Sequence, residues 1–255
     1  MRTPEPSVIS QIAPTGRLRA AINFGNPVLA FPDPKTGAPT GISVDLATLL
    51  AEHLGLKLEL VVFDGAGKVF AALADNAWDV AFLAIDPVRA AEISFTPPYV
   101  IIEGTYLVKS DSPFHSVQDL DKSGVRIAVG KGAAYDLFLT RTLEHARLKQ
   151  AETSAGAVDL FLDENLEAAA GVRQPLEAVA RTSTALRVVS GRFTEIHQAM
   201  GVPIGRDTAA EYLASFIEEL KASGFVAATL ARHGREDATV APPSRDDTCI
   251  PCSLA

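Results

Sequence analysis

Residues 41–85, GISVDLATLLAEHLGLKLELVVFDGAGKVFAALADNAWDVAFLAI, decide the fold. Apolar side chains at Val44, Ala47, Leu50, Ala51 and Leu54 recur at helical spacing and stop at Gly55. Residues 43–54 therefore read as an amphipathic helix with Ser43 as its N-cap. Residues 56–63 follow as an apolar-rich run with Lys57 and Glu59 at alternate positions, which predicts a strand. A second helix is predicted over 67–74. Residues 80–85 are almost wholly apolar, as expected of a strand covered on both faces. Helices and strands alternating at these lengths imply a parallel sheet and an α/β fold.

The same alternation continues outward. Upstream, 18–24 is a short apolar strand that stops at Gly25-Asn26-Pro27, and PDPKTGAPTG (32–41) is a Pro/Gly-rich loop or hairpin. Downstream, strands are predicted at 104–108 and 125–129, then Gly130-Lys131-Gly132 and a helix over 133–145. Helical residues 157–162, a buried strand at 168–172, a helix at 175–182 and a strand at 186–189 complete a second, smaller α/β unit. An apolar strand at 198–203, an amphipathic helix at 207–223 ended by Gly224, and a last helix at 226–233 follow. There is no internal sequence repeat.

The length of 255 residues exceeds the usual single core and fits two lobes of about 100–150 residues each. Apolar residues at 47% and charged residues at 21% are the balance of a soluble globular protein. A net charge of −8 argues against a nucleic-acid partner, which needs a basic face, but leaves room for a small anion held by a few placed cations. No run approaches the ~18 apolar residues of a membrane span. Arg2 is followed at once by Pro4, Glu5 and Pro6, with no apolar stretch behind them, so the N-terminus does not read as a secretory signal. Cys249 and Cys252 form a lone C-x-x-C in a segment without period or further ligands, read as a tail without essential chemistry. No metal or cofactor is expected.

The order LRAAINFGNP (18–27), GISVDLATLLAEHLGLKLELVVFD (41–64), WDVAFLAIDPVRAAEISFTPPYV (78–100) and VRIAVGKGAAYDLFL (125–139) resembles the polar amino-acid type of bacterial ABC-transporter solute-binding proteins, over about residues 17–235. The resemblance implies a two-lobed, periplasmic-binding-protein-like α/β fold with two hinge strands (type II) and the ligand between the lobes. It implies a discontinuous first lobe, 1–108 plus 194–255, and a second lobe, 109–193. It implies a monomer that takes a small-molecule carboxylate and has an ABC permease as its partner. The compartment implied is periplasmic; with no signal read at the N-terminus, a cytoplasmic setting stays open.

Arg89 matches the family arginine that grips the ligand carboxylate, a role suited to a rigid two-pronged cation. Taken alone, it could equally be a surface arginine paired with Glu92. Gly132, Ala133, Ala134 and Tyr135 start a helix whose free amides point outward, and the family uses those at Ala134 and Tyr135 for the same carboxylate. The usual pocket aromatic falls at Asn26, opposite Asn23, and a second family aromatic falls at Ala66. Small hydroxyl residues before the arginine become Ala81, Phe82 and Ala84. The acid that takes the ligand ammonium falls at Val172; a register with Asp163 there leaves the 168–172 strand unmatched. Gln198 is expected to face the cleft, and Arg173 to be solvated or to serve as a second cation. Glu103, Glu195 and His197 are expected at the hinge.

The pocket thus keeps its anion grip and lacks an ammonium partner, which predicts a small carboxylate poor in amine. A competing reading is an enzyme, since dehydratases of cyclic dienyl acids share this fold. The five histidines (His53, His115, His145, His197, His233) are scattered, no nucleophile-base set is visible, and Glu167 is the one acid expected near the cleft. A third reading is a sensory module using the same clamp.

Overall fold

The computed structural model describes residues 4–244; Cys249 and Cys252 lie outside the described residues. In chain order the elements are α1 (Pro6–Ile12), β1 (Arg17–Asn23), β2 (Phe31–Pro32), β3 (Pro39–Thr40), α2 (Ile42–Leu54), β4 (Lys57–Phe63), α3 (Ala66–Ala71), β5 (Val80–Ala84), α4 (Pro87–Ala90), β6 (Ile93–Phe95) and β7 (Val100–Lys109). They continue with β8 (Arg126–Gly130), α5 (Ala134–Thr142), β9 (Arg147–Ala151), α6 (Ser154–Asp163), β10 (Ala168–Val172), α7 (Arg173–Thr182), β11 (Leu186–Val188), β12 (Thr194–Pro203), α8 (Asp207–Ala222), α9 (Phe225–Arg232) and β13 (Thr239–Val240).

One sheet runs β4-β1-β5-β12-β7-β10-β8-β9. Pairing is parallel within β4-β1-β5 and within β10-β8-β9. Between these two parallel groups stand the long strands β7 and β12, ten residues each and antiparallel to each other over Val100–Gly104 and Thr194–Gln198. The far end of β12 pairs with β5, and the far end of β7 pairs with β10. These two strands carry the chain between the lobes of the α/β fold. The sequence reading began them late, at 104 and 198.

The apolar runs behave as strands between two layers. In β5, Val80, Phe82 and Ala84 enter the main core while Ala81 and Leu83 pack against Val69 and Trp78 on the other face. In β10, Ala168, Ala170 and Val172 join the main core and Ala169 faces Phe161 and Leu176. Alternate side chains point to opposite faces, so a strand covered on both faces must be apolar throughout. Helix α2 starts one residue earlier than expected. Its N-cap is Gly41, and Ser43 lies buried inside the first turn. The reason is steric: Gly41 has φ +112°, and a Cβ there would sit 2.5 Å from the Leu29 carbonyl oxygen. No helix among the described residues is long and apolar enough to cross a membrane.

Candidate anion-binding cleft

Parallel strands direct their C-terminal ends, and the N-termini of the helices that follow, toward a common edge. Asp86 caps α4 by accepting the Val88 amide at 2.9 Å, with Pro87 pre-set at the first helical position. The short turn that results throws Arg89 back into the cleft, where it is 1% exposed. Its Nη1 donates to the Ala84 carbonyl at 3.0 Å and its Nη2 to the Gly132 carbonyl at 2.8 Å, while Nε has no partner. Among the described residues no carboxylate bonds this guanidinium: Asp86 pairs with Arg141 at 2.8 Å, and Glu92 is exposed. Burial pushes the pKa of Arg89 down to about 10, against a smaller opposing pull from Asp86, so the group stays charged at neutral pH.

Opposite lies the start of α5. Ala133 is its N-cap and gives no side-chain cap, so the first-turn amides of Ala134 and Tyr135 have neither an intrahelical acceptor nor a cap. The Gly132 amide is already taken, donating at 2.7 Å to Asp136, a buried carboxylate that also accepts from Gln150. Asp136 in the first turn complements the helix dipole from behind the loop. The loop also touches the start of α3. A Cβ on Gly132, which has φ +68°, would lie 2.7 Å from the Gly67 Cα, and one on Gly67 would lie 2.9 Å from the Lys131 carbonyl oxygen.

Between Arg89 and these amides is a space of about 30 Å³, the size of one small polar group. Asn23, Asn26, Ala84, Arg89, Ala133, Ala134, Tyr135, Val172 and Gln198 all line it, as does Ala66. Asn23 and Asn26 turn their side-chain oxygens to the backbone amides of Gly25 and Val28, at 2.9 and 3.3 Å, which leaves their NH₂ ends as donors. Two expected residues stand elsewhere. Phe82 lies one pleat deeper along β5 than Ala84, packed edge-on against Tyr99. Gly132 acts through its carbonyl behind the lining.

Gly25, Leu83, Ser154 and Ile196 line the space without having been singled out from sequence. Ser154 accepts the Tyr135 hydroxyl at 3.0 Å, and its only sequence signal was the Thr153-Ser154 start of α6. The lining contains no Asp, Glu, Lys or His among the described residues. Asp163 is exposed at the end of α6.

The other polar candidates are committed to structure. Arg173 donates to Glu103 at 2.6 Å and to the Gly191 carbonyl at 2.7 Å, which corrects its reading as solvated or as a second cation. Partial burial of Glu103 opposes its ionisation, but hydrogen bonds from Arg173 and Arg192 outweigh it and hold its carboxyl below the usual range. Glu195 pairs with Arg192, and His197 lies 3.5 Å from Glu195 on the exposed side of the hinge. Glu167 is bound by the Arg126 side chain and amide and does not line the pocket. Among the described residues, no group of three His, Cys, Asp or Glu could hold a metal.

Comparison with known proteins agrees with this architecture. The chain is 24% identical over 232 residues to the L-cystine-binding protein TcyJ of Escherichia coli K12, covering 86% of this chain and 83% of that protein. It is 28% identical over 148 residues to the cyclohexadienyl dehydratase of Pseudomonas aeruginosa, covering 56% of this chain and 54% of the enzyme. The crystal structure of a mutant of ArgBP from T. maritima superposes with a TM-score of 0.76 at 22% identity, covering 89% of this chain and 99% of that one. The model of the bacterial extracellular solute-binding proteins, family 3, matches residues 18–236, and with the two parallel groups joined by two long strands it establishes that the chain belongs to this family of solute-binding proteins.

Proposed function

We propose that the protein captures a small carboxylate for an ABC-type uptake system and that Arg89, with the Ala134 and Tyr135 amides, is the grip. The observation that carries this is the buried guanidinium that no carboxylate among the described residues touches. A desolvated charge without a counter-ion is costly, and an anion bound between Arg89 and the α5 amides relieves that cost. We divide the lobes as 1–108 plus 194–255 and 109–193, meeting where β7 and β12 cross. Arg89 then belongs to one lobe and the amides to the other, so a single carboxylate favours the closed state. One chain supplies both halves of the site, so a monomer suffices; in this reading it works outside the cytoplasmic membrane and hands its ligand to a permease, which membership of an extracellular family supports.

The ligand lacks an ammonium group in this reading, because Val172 and Ile196 line the anion pocket and, among the described residues, no carboxylate does. An α-amino acid and its des-amino counterpart, leucine and 4-methylpentanoate, should differ by at least about tenfold in favour of the des-amino acid, since an unpaired buried cation costs several kcal/mol. Calorimetric titration of ligand-stripped protein decides; tighter leucine binding rejects the amine-free ligand. The dehydratase relative motivates a second reading, catalysis on a cyclic dienyl acid such as prephenate. Among the described residues the lining of the anion pocket offers no carboxyl, imidazole or amine for proton transfer, so thermal stabilisation without turnover is expected.

A further inference from the structure

We infer that the ligand carries an apolar body, housed in a second cavity that continues from the carboxylate site. This rests on Arg89 being the carboxylate grip. The cavity has a volume of about 360 Å³ and shares Gly25, Tyr135, Ser154 and Val172 with the anion pocket. The anion pocket has room for a head group and little else, so the rest of any larger ligand must enter the second space.

The walls decide what that rest can be. Phe24 and Pro27, from the turn after β1, face Val158 of α6 and Pro175, Leu176 and Val179 of α7. The two hydroxyls in the wall already accept hydrogen bonds. Thr153 caps α6 through the Gly156 amide at 3.0 Å, and Ser154 accepts from Tyr135. Pro175 has no N–H to offer. Asp64, the one charged residue of this lining, is exposed and tied to Lys68 at 2.8 Å. A hydroxylated or charged body would lose more water here than these few groups replace, whereas an alkyl or phenyl body gains by burial. The volume lies at the low end for small-molecule sites and holds roughly a dozen groups the size of a water. The structure therefore points to a monocarboxylate with an aliphatic or aromatic tail.

Calorimetric titration of the ligand-stripped full chain with propanoate, pentanoate, heptanoate and 4-phenylbutanoate tests this. Affinity should rise about three- to fourfold per added methylene until the cavity fills. Val158→Asp should flatten that rise, with Val179→Asp, on a different helix, as the second variant should the first fail to fold. Arg89-dependent binding that is flat with chain length, or stronger binding of a polyhydroxylated acid such as gluconate, overturns the apolar body and leaves the anion grip standing. A rise with chain length that survives Arg89→Met overturns the grip instead. Absence of binding by every acid in the series overturns both.

Discussion

At the scale of single residues, two buried charges have opposite standing. Arg89 has no carboxylate partner among the described residues, so Arg89→Met, which keeps the stem and removes the charge, should leave the melting temperature of the unliganded protein level or higher. Carboxylate affinity should fall at least about 100-fold, as a charge-assisted fork worth about 3 kcal/mol or more is lost. A drop of several degrees in the ligand-free protein would make Arg89 structural. Asp79 is fully buried and accepts from the Arg19 amide, Nε and Nη2 at 3.1, 2.9 and 2.7 Å, with Arg206 at 3.4 Å. Asp79→Ala strands two arginines and should destabilise by about 3–5 kcal/mol, read by denaturant unfolding. Arg89 was singled out through the family resemblance, since D-P-V-R after a buried strand reads equally well as a surface arginine paired with Glu92. Asp79 was not, because its partners lie 60 and 127 positions away.

Among the elements, the apolar runs were read closely and the polar ones poorly. Strand β10 spans the residues expected of it, since a five-residue run of AAAGV can only be buried. Strand β9, RLKQA, was missed: it is an edge strand paired with β8 alone, with Arg147, Lys149 and Gln150 exposed. The first halves of β7 and β12 were missed because Glu103, Glu195 and His197 interrupt the apolar pattern, although Val100, Ile102 and Ile196 between them are buried in the main core. Strand β8 is held to β10 by Glu167, whose carboxyl sits below its ordinary value chiefly through hydrogen bonding to Arg126. A depressed carboxyl contributes stability above its unfolded pKa and loses it as pH falls through the folded value. Glu167→Gln should therefore lower the melting temperature by about 2–4 °C at pH 7, for a loss near 1 kcal/mol, and the difference should shrink towards pH 3 in a calorimetric series.

For the whole molecule, closure of the proposed clamp rests on few contacts between the parallel groups. Arg141 of α5 reaches Asp86, which is 4% exposed, and Arg89 reaches the Gly132 carbonyl. Neither ligand nor hinge is altered by Arg141→Ala, yet it should shift the population towards the open form. The expected result is a lower carboxylate affinity, by about three- to tenfold, and a larger ligand-free radius in X-ray scattering. An unchanged radius and affinity would show that the pair does not bias closure. The contact of Gly67 with Gly132 adds a different kind of constraint. Two residues without side chains meet backbone to backbone, so the jaws have a hard end-stop rather than a cushion. Shut then means one fixed separation, and the clamp works as a go/no-go gauge: cargo that clears the stop is enclosed in one shape, and cargo that does not leaves the jaws ajar.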